Sequence, residues 1–118
     1  MTTYIATWYN SAKSGFYGAI VDAKTKETAK RNFTNKNPDK MRLLTIRTFP
    51  EFITEFLSRN KPRLYYMLPA PKGSEYEWME FMKNPKHAGG DWGEWPLWVR
   101  NHIKQAAIDR VKRGKYVW

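Results

Sequence analysis

Two runs rich in aromatic and β-branched residues, YIATWY at 4–9 and FYGAIVD at 16–22, flank the segment NSAKSG at 10–15. Such side chains suit a pleated, half-buried surface, so both runs read as strands. The connection holds Asn10, Ser11, Ser14 and Gly15, which accept turn conformations. A link this short returns the chain antiparallel to itself, whereas parallel strands need a crossover of a dozen or more residues. The N-terminus is therefore read as a β-hairpin. A chain that begins this way is expected to be α+β rather than doubly wound.

The remaining elements follow from periodicity and punctuation. Thr25 is placed to cap a helix over 26–35, with Ala29 and Phe33 as its apolar seam. Pro38 and the asparagines of 35–40 end it. MRLLTIRTF, 41–49, reads as a third strand, with Leu44 and Ile46 on one face and Leu43, Thr45 and Arg47 on the other. Pro50 opens a helix whose Phe52, Ile53, Phe56 and Leu57 form one stripe. RLYYML, 63–68, reads as a fourth strand.

Ser74 and Glu77 have capping-box spacing, which starts a helix over 75–83. NPKHAGGDWGE, 84–94, reads as a loop. Pro96 then begins a last helix over 96–113, with Val99, Ile103, Ala107 and Val111 as its seam and Gly114 as its stop. The expected order is ββαβαβαα. It describes one domain over 1–118, with about four strands in a mostly antiparallel sheet packed by three to four helices. The length and the 42% hydrophobic content are enough for one core.

The chain has no cysteine. Disulfides, thiolate metal sites and a cysteine nucleophile are excluded, and a reducing, cytoplasmic setting is expected. The first residues lack the basic and apolar regions of a secretory signal, and no apolar run approaches the ~20 residues of a membrane span. The expected partner list therefore contains no membrane.

Charge is the strongest functional signal. The formal net charge is +10, distributed as +6 over 1–50, −1 over 51–95 and +5 over 96–118. Phosphates are gripped largely by lysine and arginine, so both ends of the chain point to nucleic acid, DNA or RNA. The candidate phosphate contacts are Lys24, Lys26, Lys30, Arg31, Lys36, Arg42 and Arg47, joined by Arg110, Lys112, Arg113 and Lys115 near the C-terminus. The bland reading is a solvated face, and cations at a helix C-terminus also answer its dipole. Arg100, Lys104, Arg110, Lys112 and Arg113 spread around the last helix, so it is not expected to read bases in a groove.

Trp8, Tyr9 and Tyr17 are candidates for stacking on bases, against the alternative that they fill the core. The GFYGAIV run has Gly18 where the glycine-aromatic strand of an RNA-recognition motif needs a second aromatic, and the element order is not βαββαβ. That fold is not assigned.

Trp92, Trp95 and Trp98 recur every three residues in GGDWGEWPLW, 89–98. Tryptophan dominates binding hot spots, so Trp92 and Trp95 are candidate anchors for an acidic protein or nucleoprotein. Compact, cysteine-free, strongly charged chains are similar in style to phage-borne antagonists of host defence such as anti-CRISPR proteins. That resemblance implies an alternative function, an inhibitor of viral origin docking on a host nucleoprotein.

Enzyme signals are weak. His87, Asp91, Glu94 and His102 fit no metal motif, and Asp22-Ala23-Lys24 has the D-x-K ending of a nuclease without an upstream carboxylate. No phosphate-binding glycine loop or serine-nucleophile elbow occurs. The expectation is a non-enzymatic binder without cofactor or metal.

Overall fold

The computed structural model describes residues 1–60, 69–83, 95–114 and 116–118. Strands β1 (Thr2–Asn10) and β2 (Gly15–Ala23) form the expected hairpin. Trp8 faces Tyr17 across it, and Tyr9 faces Phe16. Helix α1 (Lys26–Lys36) follows, with the Thr25 hydroxyl accepting from the Thr28 N–H as its N-cap. Strand β3 (Thr45–Thr48) pairs antiparallel with β1, giving the sheet order β2-β1-β3. Helices α2 (Phe49–Asn60), α3 (Glu75–Lys83) and α4 (Leu97–Lys112) complete the described elements.

The class is α+β, as expected, but the strand inventory differs. The described sheet has three strands rather than four, and the strand expected at 63–68 lies outside the described residues. Strand β3 is also shorter than 41–49. Leu43 takes φ 52°, and the Leu44 N–H donates to the Met41 carbonyl, so 41–44 forms a turn. The ladder still gains one bond there, from the Tyr9 N–H to the Arg42 carbonyl at 2.9 Å.

Alternation along the strands divides the core. Tyr4, Ala6, Trp8 and Ile46 pack with Ala29 and Phe33 of α1 on one face of the sheet. Ile5 packs with Phe52, Ile53 and Phe56 of α2 and the Val99–Val111 seam of α4 on the other. Trp78 and Phe81 of α3 belong to this second layer. All four seam residues of α4 are buried, and Gly114 ends the helix at φ 67°. Residues 116–118 then run along the outer edge of β2, where the Val117 N–H donates to the Phe16 carbonyl at 2.9 Å.

The fold positions the surface that follows. Helix α1 starts at the open end of the hairpin and runs toward its turn, where the 37–44 segment meets the 11–14 connection.

Candidate nucleic-acid interface

The basic stretch 24–47 divides by environment. Lys24, Lys30, Arg31 and Lys36 are exposed and form no ion pair among the described residues. Ala29 and Phe33 turn inward; Lys30 and Arg31 point away from that seam, and Lys36, three residues on from Phe33, is exposed at the last turn of α1. Lys30 and Lys36 stand about 9 Å apart along the axis, and the three cations spread around α1 rather than lining one face. Glu27 in the first turn is the acidic side chain of α1.

Two members of the stretch serve the fold instead. Lys26 pairs with Glu51 at 3.2 Å, both side chains about half exposed. Arg47 is half-buried beneath the sheet, on the face opposite α1. It donates to the Thr7 hydroxyl at 2.8 Å, and its guanidinium lies 5.1 Å from the Trp118 ring centre. Arg47 therefore belongs to the interior, because alternation from the core residue Ile46 turns it away from the α1 face.

The turn end of the hairpin carries a cleft of about 580 Å³, lined among others by Trp8, Lys13, Tyr17, Asp39, Lys40 and Arg42. Each of its three cations lies over a ring. Lys13 Nζ is 5.1 Å from the Tyr17 centre, Lys40 Nζ is 5.2 Å from Trp8, and the Arg42 guanidinium is 4.9 Å from Tyr9. Lys40 also donates to the Asn37 side chain at 3.2 Å, and Arg42 to the Ser11 hydroxyl at 3.2 Å. Asp39 contributes one negative charge, and the C-terminus of α1 roughly half of one. Three cations exceed both, so the cleft is positive.

The expected stacking trio is divided. Trp8 and Tyr17 stand opposite each other on one face of the hairpin, while Tyr9 pairs with Phe16 on the other. Trp8 is 8% exposed and lies against Phe33, with ring centres 5.4 Å apart, so one of its faces is core. Tyr17 is half-buried and meets Tyr116 edge-on at 5.3 Å.

At the C-terminus, Lys112 and Arg113 are exposed and Lys115 lies outside the described residues. Arg110 is half-buried and donates through Nε to the Tyr116 carbonyl at 3.1 Å, and burial lowers its pKa from the ordinary guanidinium value. It fastens the terminal segment rather than facing solvent. Of the two proposed protein anchors, Trp92 lies outside the described residues. Trp95 is 7% exposed and meets Phe81 edge-on at 5.3 Å, so its ring is a core group, not an exposed hot spot.

His87, Asp91 and Glu94 also lie outside the described residues. Among the described residues, no group of three or more His, Asp or Glu could hold a metal ion, and no helix is long and apolar enough to cross a membrane.

Lys13, Lys40 and Asp39 are not among the candidates that the sequence singles out. Lys13 sits in the hairpin connection beside Tyr17, so hairpin geometry alone could bring it forward. Lys40 reaches Trp8 only because α1 folds back over the sheet, and no local pattern carries that. Compared with protein-family models, curated proteins and solved structures, the chain finds no match.

Proposed function

We propose that the protein is a non-enzymatic nucleic-acid binder that grips the phosphate backbone through the solvent side of α1 and the turn end of the hairpin. The observation that carries this reading is that Lys30, Arg31 and Lys36 are exposed and without ion pairs among the described residues, on the helix that leads to a cleft held positive by Lys13, Lys40 and Arg42. Cations left without carboxylate partners are free to exchange counterions for phosphates, which is the main driving term of backbone binding. Lys112 and Arg113 add two exposed cations near the C-terminus. Phosphate contacts set position and carry no base code, so this reading includes no sequence specificity.

The test is fluorescence anisotropy with labelled oligonucleotides at ~0.15 M salt, where backbone-driven binding falls at about 1–100 μM. The triple variant Lys30→Glu, Arg31→Glu, Lys36→Glu is expected to bind at least about tenfold more weakly. All three side chains are exposed, so its far-ultraviolet circular dichroism should match the parent. Unchanged affinity in the folded variant would remove α1 from the interface. Absence of binding by the unaltered protein at low salt would sink the reading.

A further inference from the structure

The cleft has a property that backbone binding does not require. Trp8 and Tyr17 are cross-strand partners, and each is supported by another ring, Trp8 by Phe33 at 5.4 Å and Tyr17 by Tyr116 at 5.3 Å. A flexible lysine stands over each of them, Lys40 and Lys13. The cleft volume of about 580 Å³ lies within the range of sites that enclose small planar ligands. Gly18 and Ala19 in its wall add little bulk.

Resting on the nucleic-acid reading above, we propose that this cleft takes an unpaired nucleobase of a single strand, stacked on Tyr17 beside Trp8. In the free protein the two ammonium groups occupy the ring faces. On binding, the base takes the Tyr17 face and Lys13 and Lys40 move to the flanking phosphates. Base stacking on an aromatic ring outweighs an exposed ammonium–ring contact by about tenfold in an equilibrium constant. The displaced lysines also gain charged partners. The long Lys13 stem permits the movement, and Lys40 gives up its bond to the Asn37 side chain for a phosphate; Arg42, bonded to Ser11, lines the rim. A duplex cannot use the cleft in this way, because its base faces are already stacked on their neighbours. The protein therefore discriminates by strandedness without reading sequence.

The experiment compares a labelled single strand and a blunt, fully paired duplex of equal length, at one salt concentration, with the unaltered protein and Tyr17→Leu. The single strand is expected to bind about tenfold more tightly than the duplex, and Tyr17→Leu to lower single-strand affinity far more than duplex affinity. Equal binding of both forms by the unaltered protein overturns the inference and leaves backbone binding standing. Failure to bind either form removes both. Because Tyr17 also packs against Tyr116, a second measurement uses the unaltered protein alone, with adenosine 5′-monophosphate and ribose 5-phosphate competing for the labelled strand. The nucleotide should displace it at lower concentration. Equal potency of the two competitors would show that only the phosphate is held.

Discussion

Gly15 and Leu43 sit at the hairpin-turn end and illustrate opposite uses of a backbone position. A Cβ on Gly15 would stand 2.2 Å from the Tyr116 ring, whose hydroxyl donates to the Lys13 carbonyl. The ring can lie over Tyr17 only because residue 15 has no side chain. Gly15→Ala is expected to lower stability by about 1–2 kcal/mol, the scale of one hydrogen bond and one ring contact, measured by denaturant unfolding. Stability equal to the parent would mean that Tyr116 does not hold this position. Leu43 is the reverse case. It takes φ 52° while 64% exposed, in the turn position where glycine is favoured. Leu43→Gly should raise stability by about 1 kcal/mol, since little burial is lost and the left-handed penalty is relieved. A lower melting temperature would show that the Leu43 side chain packs usefully.

At the scale of elements, α2 begins with a reciprocal cap. The Thr48 N–H donates to the Glu51 carboxylate at 3.1 Å, and the Glu51 N–H donates to the Thr48 hydroxyl at 3.3 Å. These bonds, with Lys26 beside them, lower the Glu51 pKa from 4.5 to about 2. A carboxylate held below its unfolded pKa stabilises the fold above the unfolded value, and that share is lost as pH falls through the folded one. The window thus runs from about 4.5 down to about 2. Solvent exposure keeps the effect small. Glu51→Gln should flatten the acid limb of the stability curve in that window. Parallel curves for parent and variant would contradict the cap's charge.

The same element shows what was legible in advance. The T-x-x-E signature at 48–51 is plain in the sequence, yet Pro50 drew the helix start to itself. The seam Val99, Ile103, Ala107 and Val111 and the Thr25 cap were fully legible, because period and capping are local signals. Truncating Ile103 to Ala should cost about 2–5 kcal/mol. The end of β3 was not legible, since a leucine at positive φ defies its own preference. Nor were the internal roles of Arg47 and Arg110. Arg47 is turned inward by Trp118 from the far end of the chain, and Arg110 by the Tyr116 carbonyl once the chain folds back after Gly114.

At the scale of the molecule, the net charge of +10 is divided, among the described residues, between groups paired or folded inward and groups left outside. Arg59 and Lys26 are neutralised by Glu55 and Glu51, and Arg47 and Arg110 are folded inward. Among the described residues, exposed cations without ion pairs stand on α1, at the hairpin-turn end and at the end of α4, and also at Lys72, Lys83 and Lys104. The proposed nucleic-acid grip would use both this charge and the aromatic cleft beside it.

The most direct measurement is the salt dependence of single-strand binding by the unaltered protein. With at least three phosphate contacts, log K should fall linearly with log salt, at a slope of about −2 or steeper. A slope near zero, or no binding at ~0.05 M salt, would contradict backbone recognition by these cations.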